Sequence, residues 1–261
     1  SCYRESLRLF EVVGEIYNQA QVLFNMALVY KDRGDLAGAG TLFSEALQIF
    51  QRLSAAPCIA QARLNLGIIL GLRGQSKEAD SYFDQAISLQ EELEALPDLC
   101  EGYLARAQFL VREGRIVEAE FYLSRAEALI SRTDYLPLNI LLYNVEGELH
   151  QKEGRFREAQ SSFERALSLA RRLSHPYEEA KATANLGRLA LQVKDYPHAL
   201  VKLQQALAAM SRLGAMHDAL ALYHDLGRLF LDQGDYARAE EMSALREREA
   251  GRIGYIGVQL Y

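Results

Sequence analysis

The sequence predicts an all-α solenoid, a row of paired antiparallel helices in which one pattern repeats along the chain. Two observations support this prediction. A small residue recurs at a constant step of 40 positions, at Ala27, Gly67, Ala107, Gly147, Gly187 and Gly227. A second small residue recurs at the same step, at Ala39, Ala79, Ala119, Ala159, Ala199 and Ala239. A fixed period of this length indicates a repeat protein whose units stack on one another.

Each unit consists of two helices joined by a tight turn. In the second unit the small and apolar residues keep helical spacing, with Gly67 and Leu70 in the first helix and Ala79, Phe83 and Ala86 in the second. Gly74 stands between them, where a left-handed residue ends a helix, and Ser76 is expected to cap the next one. This glycine recurs in every unit except the fifth, which has Lys194.

These columns divide the chain into predicted units. Residues 1–14 form a half repeat with a second helix only, and full repeats follow at 15–54, 55–94, 95–134, 135–174 and 175–214. A degenerate repeat covers 215–254, and residues 255–261 start a further helix or form a tail. About thirteen helices are therefore expected, four of them with proline in the first turn. The unpaired helix at Cys2–Val12 should leave Leu7 and Phe10 partly exposed.

The columns resemble the tetratricopeptide repeat, whose usual period is about 34 residues. The longer unit is similar to those of Pins-type spindle adaptors, kinesin light chains, Rap-type phosphatase regulators and maltose-activator-type bacterial regulators. This resemblance implies a right-handed superhelix whose first helices line a concave surface. It also implies a role in binding other proteins.

Composition excludes some other function classes. The net charge is −6, and the 25% of charged residues form no long run of one sign, which argues against a nucleic-acid surface. No apolar run approaches the roughly 18 residues of a membrane span, and no signal-peptide pattern opens the chain. Cys2, Cys58 and Cys100 form no C-x-x-C pair, so we expect a reducing cytoplasmic location with the last two as packing residues.

No pattern of catalytic or metal-binding residues can be argued. We find no Ser-His-Asp order, paired catalytic carboxylates or Walker glycine loop. None of the five histidines has zinc-site spacing, and His150 falls in the column of Tyr30, Leu70 and Leu110, which predicts a packing role. The sequence therefore predicts a protein that is not an enzyme and has no metal and no cofactor.

The candidate binding residues lie on the first helices. Two positions before the first small column stand Asn25, Asn65, Ala105, Val145, Asn185 and Asp225. Asparagine is a poor helix former, and its amide offers a donor and an acceptor to an extended peptide. In the long-repeat proteins the matching asparagines hold a peptide backbone. The resemblance thus implicates three asparagines here, with Asp225 as a partial match and a break at Ala105 and Val145.

Basic residues follow on the same predicted face in the fifth and sixth units. Lys181, Arg188 and Arg228 lie near Asn185 there, so we expect this part of the groove to receive an acidic side chain or a C-terminal carboxylate. The alternative interpretation of these charges is a solvated helix face.

Two functions stay open. The first is a scaffold that binds an extended peptide or partner segment in the concave groove. The second is the sensor or effector-binding arm of a larger bacterial signalling or transcription regulator, which binds a small molecule or an upstream protein. The sequence leaves the partner and the oligomeric state open.

Overall fold

The computed structural model describes Phe10, residues 15–132 and residues 135–252, and within these ranges it contains twelve α-helices and no strand. The helices are α1 (Ile16–Asp32), α2 (Leu36–Arg52), α3 (Ala56–Leu72), α4 (Ser76–Glu92), α5 (Leu96–Glu113), α6 (Ile116–Ile130), α7 (Pro137–Lys152), α8 (Phe156–Arg172), α9 (Pro176–Gln192), α10 (Tyr196–Leu213), α11 (Met216–Asp232) and α12 (Tyr236–Arg252). This confirms the all-α solenoid of paired helices. The thirteenth predicted helix, with Leu7, lies outside the described residues except for Phe10, which is helical and half-buried.

The turns share one backbone design, which explains the regular step. After α1 the amide of Gly34 donates to the carbonyl of Lys31, and the amide of Asp35 donates to the carbonyl of Tyr30, both at 2.9 Å. This is the Schellman arrangement, which needs a left-handed residue at the helix end. Lys194, the exception in the glycine column, keeps that conformation with φ of 63°.

The turns between units use the same arrangement without a glycine signal. Ser54, Glu94 and Ser174 have φ between 52° and 56°, and Gly214 occupies the equivalent place with φ of 72°. The predicted cap at Ser76 is wrong, because the Schellman turn leaves Gln75 as the residue before α4. The Ser76 hydroxyl instead donates to Glu113 Oε2 at 2.6 Å.

In the first five units the helix pair closes around one large side chain. Phe83 and Phe163 are fully buried, as predicted, and Leu203 takes this place in the fifth unit. The small column opposite leaves room for the ring, since a Cβ added to Gly147 would lie 2.4 Å from Phe163. The predicted prolines stand in the first turns of α3, α5, α7 and α9.

Successive pairs stack so that the first helices α1, α3, α5, α7, α9 and α11 lie side by side. From α3 to α11 each contacts the next, α11 also contacts α1, and a hydrogen bond joins α1 to α3. The first and sixth units therefore meet, and the first helices surround a narrow concave space. None of the described helices is long and apolar enough to cross a membrane.

Candidate functional site

The concave space contains a cavity of about 270 Å³ to which all six first helices contribute. Its wall combines apolar residues, among them Ile68, Leu104 and Val145, with charged and polar ones. The charged and polar residues include Lys31, Asp32, Glu101, Arg112, Tyr177, Lys181, His217 and Asp218. Two other cavities of the described chain are each lined only by residues of the fourth and fifth units.

The cavity is an environment in which charge is costly. Burial raises the pKa of Asp32, and nearby Asp218 adds to this effect while Lys31 opposes it. Burial also raises the pKa of Glu101 and lowers the pKa of His217. Although Asp32 and Glu101 keep accessible surface, the surrounding helices displace enough water to disfavour their ionised forms.

Tyr177 connects two units at the rim of this cavity. Its hydroxyl donates to Asp218 Oδ2 at 3.0 Å, which joins α9 to α11. Burial and the adjacent carboxylate both raise the pKa of Tyr177, so the phenol stays protonated and keeps donating this bond.

Similar side-chain bonds join other first helices. Because these helices lie side by side with an offset of one repeat, a residue meets a partner about 40 positions further on. The bonds of this kind include Gln21–Cys58, Gln108–Glu148, Asn144–Asn185, Gln151–Gln192, Tyr177–Asp218 and Arg188–Asp225. They fix how closely successive units approach on the concave side.

The predicted asparagine column is mostly covered by these junctions. Asn25 is exposed, but Asn65, Asn185 and Asp225 are buried, with exposures of 8%, 4% and 9%. Asn65 Nδ2 donates to the carbonyl of Gln61 in its own helix at 3.0 Å. Neighbouring first helices therefore pack over these three residues, so Asn25 is the one exposed member of the three predicted asparagines.

The three predicted cations do not form one cluster. Lys181 lines the cavity, while Arg188 and Arg228 lie outside its wall. The Arg188 Nε donates to Asp225 Oδ2 at 2.7 Å. Arg228 is exposed and makes no hydrogen bond or ion pair with the described residues.

The sequence did not identify two further residues of the concave side. Asn144 is fully buried at the centre of the bonds between α7 and α9. The sequence feature that could have identified Asn144 is its polar side chain in the column of Leu64 and Leu104. Arg112 lines the 270 Å³ cavity and a second one of about 300 Å³ beside it. No pattern marks Arg112, because the other residues in its column vary in charge and size.

The cysteines and histidines do not assemble into a reactive centre. Cys100 is fully buried, and burial raises its pKa to about 12, which confirms its packing role. Cys58 is half-buried beside Tyr17 and Gln21, and Cys2 lies outside the described residues. Among the residues that the structure describes, no group of three or more His, Cys, Asp or Glu is placed to hold a metal ion.

Comparisons with known proteins agree with this architecture. A family model described as tetratricopeptide repeat matches residues 18–92 and 139–212, and a second one matches residues 220–244. A comparison with curated protein sequences gives no match.

Solved structures with low sequence identity share the fold. A Rap protein complexed with Competence and Sporulation Factor is 18% identical with a TM-score of 0.78, over 97% of this chain and 69% of that one. The Rap conjugation gene regulator of plasmid pLS20, in complex with a Phr peptide, is 15% identical with a TM-score of 0.66, over 98% and 75%. A signal transduction ATPase with a tetratricopeptide repeat sensor, from Pyrococcus horikoshii, is 16% identical with a TM-score of 0.62, over 97% and 40%.

The first of the two family models alone covers more than half of the sequence, in two blocks that each hold two helix pairs. The 40-residue columns, the Schellman turns and the stacked pairs describe the same unit in structural terms. The chain therefore belongs to the tetratricopeptide repeat family.

Proposed function

We propose that the chain is a non-catalytic scaffold that binds an extended segment of a partner protein on its concave surface. The observation that carries this proposal is the cavity to which all six first helices contribute. A segment lying there touches every unit at once, so each repeat adds contacts and the whole superhelix selects the ligand. Two structures of the same fold are complexes with Competence and Sporulation Factor and with a Phr peptide, which supports a peptide as the kind of ligand.

The proposed contacts combine backbone and charge recognition. Asn25 offers a free amide, and Asn65 and Asn185 offer theirs once they leave their internal partners. Lys181, Arg188 and Arg228 are proposed to receive an acidic side chain or a C-terminal carboxylate, with Asp225 beside them. Shielded hydrogen bonds to charged groups contribute about 1.5–3 kcal/mol each, and far less at an open surface. Of the three cations, Lys181 is the best placed to bind an acidic ligand group, because it lines the cavity and has no ion-pair partner in the described chain.

The test is capture of a partner by the 261-residue chain, followed by mapping of the bound segment and titration with variants. Lys181→Glu should weaken binding about tenfold or more, which corresponds to roughly 1.4 kcal/mol. Lys202→Glu is the matched control, since this half-buried lysine lies on α10 beside a cavity on the convex side of the superhelix. Equal binding by wild type, Lys181→Glu and Asn25→Ala would exclude the concave surface as the site.

A second candidate function follows from the size of the cavity. Its volume of about 270 Å³ lies just below that of small-molecule pockets, which begin near 300 Å³. This supports the sensor arm of a larger regulator that binds a small effector. A thermal-shift screen with metabolites separates the two candidates, because a small effector should raise the unfolding midpoint of the wild type without any partner. Filling the cavity by Ala105→Phe should abolish that shift.

A further inference from the structure

A partly buried chain of hydrogen bonds links three first helices. Asn144 Nδ2 of α7 donates to Glu178 Oε2 at 3.2 Å, and Asn144 Oδ1 accepts from Asn185 Nδ2 at 3.4 Å. Asn185 Oδ1 then accepts from Arg188 Nη1 at 3.2 Å, and Arg188 Nε donates to Asp225 Oδ2 of α11 at 2.7 Å. The chain thus ends on a carboxylate of this protein at each side, with one cation between them.

The two members of the ion pair differ in how accessible they are. The Arg188 side chain keeps 34% of its surface exposed, whereas Asp225 keeps only 13%. The Arg188 side chain is therefore accessible to solvent, while the carboxylate that neutralises it is the more buried partner. A planar guanidinium recognises a carboxylate through a fixed fork of N–H donors, and the Nε edge of that fork is already in use.

The column that contains Asp225 makes this arrangement specific to the sixth unit. The equivalent residues are Asn25, Asn65 and Asn185 in other units, and Asp225 is the only carboxylate in the column. An asparagine at position 225 could still accept from Arg188 but would bring no negative charge. The charge of residue 225 thus determines whether Arg188 already has an anionic partner within the protein.

We propose that Asp225 competes with the carboxylate of a ligand for Arg188, so that Arg188 receives the acidic group of a bound segment only when Asp225 is displaced. Asp225 is thus an internal competitor of the ligand. This inference rests on the proposed function, because it names how the same groove admits an acidic ligand. A second carboxylate beside the intact pair would face Asp225 as well as Arg188, so it gains little. Once Asp225 moves away, the ligand carboxylate restores the charge balance that a partly buried cation requires.

The competition can be measured without knowing the partner, with acetate as the probe. The ¹⁵N NMR signals of the arginine Nε–H groups are recorded while sodium acetate replaces sodium chloride at constant ionic strength. Arg188→Lys and Arg228→Lys identify the two signals of interest. Arg228 is the matched reference within each sample, because it stands in the same column one repeat later and is exposed without an ion pair.

In the wild type, acetate should leave the Arg188 signal in place. In Asp225→Asn the signal should shift and saturate at an acetate concentration at least tenfold below that needed for Arg228. The proposal is overturned if Arg188 responds equally in wild type and Asp225→Asn, or if Asp225→Asn shows no saturable shift. If both Asp225→Asn and Asp225→Ala fail to fold by circular dichroism, the carboxylate is structural and is not displaced by ligands, which also overturns the proposal.

The outcome is separable from that of the proposed function. An acetate response in Asp225→Asn with no partner captured by the chain would retain the competitor and reject the scaffold. A captured partner whose affinity is sensitive to Lys181→Glu, together with no acetate response, would retain the scaffold and reject the competitor. With an acidic partner segment in hand, Asp225→Asn should bind it about tenfold more tightly than wild type.

Discussion

The N-terminal and C-terminal parts of the concave surface join their first helices by different chemistry. Between α3 and α5 the facing residues are apolar, with Leu64 and Ile68 packed in one cluster with Leu104. Between α7, α9 and α11 the contacts include a chain of amides and charges that starts at Asn144. The repeat columns are the same in both parts. They specify each helix pair but leave open how one unit meets the next.

This difference has energetic consequences. Apolar contacts are non-directional and scale with the area removed from water, so the α3–α5 junction should tolerate small shifts between units. A buried polar chain stabilises one register, and loss of one member leaves its neighbours unsatisfied. The C-terminal units should therefore be the more sensitive to substitutions on the concave side, and the N-terminal units to loss of apolar volume.

The largest effect is expected from loss of apolar volume in the N-terminal part. Phe83 is fully buried, so Phe83→Ala should lower the free energy of unfolding by about 3–5 kcal/mol. Phe121→Ala is the control, since that ring is 53% exposed. In a linear array the loss is local, so hydrogen exchange should show α3–α6 unprotected before α9–α12. Uniform loss of protection would contradict nearest-neighbour stability.

A buried ion pair also contributes to that part of the molecule. Arg106 Nη2 lies 2.6 Å from Asp80 Oδ1, its side chain is only 5% exposed, and Arg115 contacts the same carboxylate. Asp80→Ala should lower the free energy of unfolding by about 2 kcal/mol. This is less than the 3–5 kcal/mol typical of a broken buried pair, because Arg106 keeps the carbonyl of residue 80 and Asp84.

The matched control for this pair is Asp84→Ala. Asp84 is 64% exposed and lies 3.4 Å from Arg106, so its removal should change the free energy of unfolding by less than about 1 kcal/mol. Urea titrations of both variants give the comparison. If the two variants lose the same stability, the Asp80 contact has no special role in the N-terminal units.

The polar junction of the C-terminal part can be tested by making it resemble the apolar one. Asn144 occupies the column of Leu64 and Leu104. Asn144→Leu should lower the free energy of unfolding by about 1–3 kcal/mol, because the Nδ2 group of Asn185 loses its acceptor while still buried. Adding Asn185→Leu should recover part of this loss, since both polar groups are then gone. Asn25→Leu, at an exposed site, should stay within about 0.5 kcal/mol.

A double-mutant cycle at positions 144 and 185 measures the coupling directly. Residues that share a hydrogen-bond network show interaction energies of about 0.5–3 kcal/mol. Additive losses would mean that the two asparagines do not act together and that the difference between the two junctions is only one of composition.

The sequence predicts most of what lies within a unit. Helix pairs, turn positions and the burial of Phe83 and Phe163 follow from columns that repeat over 40 residues, and the structure confirms them. Even Lys194 keeps the left-handed turn that its glycine counterparts predict, because the surrounding helices determine the backbone there. These features depend on local periodicity, which a single sequence contains in full.

The sequence predicts less of what lies between units. The burial of Asn65 and Asn185 depends on how close neighbouring first helices come, and no column records that distance. The contact of α11 with α1 arises from small rotations added over six units. For the same reason no sequence pattern marks Arg112, since only the superhelix brings it to the cavity wall. The peptide-binding role of the asparagine column stays a prediction.

The smallest expected effect concerns a histidine that distinguishes the two parts. His150 of α7 stands in the column of Leu70 and Leu110. It is half-buried, and its Nδ1 lies 3.8 Å from Glu153 Oε2, which is beyond hydrogen-bond distance. Burial, with Arg155 as a further cause, lowers the pKa of His150 below its usual value near 6.5.

The sign of the pH effect follows from this shift. The unfolded chain takes up a proton at His150 more readily than the folded protein does. The stability linked to neutral His150 is therefore fully present above about pH 6.5 and is lost as the pH falls toward the folded pKa. His150→Leu removes the titrating group and restores the apolar residue of the other units. The free energy of unfolding of the variant minus that of wild type should be larger at pH 5.5 than at pH 7.5. Urea unfolding of both proteins at the two pH values measures this difference. His224→Leu, at an exposed site on α11, is the control. An equal difference between His150→Leu and wild type at both pH values would mean that His150 packs like its leucine counterparts and that its titration is not coupled to folding.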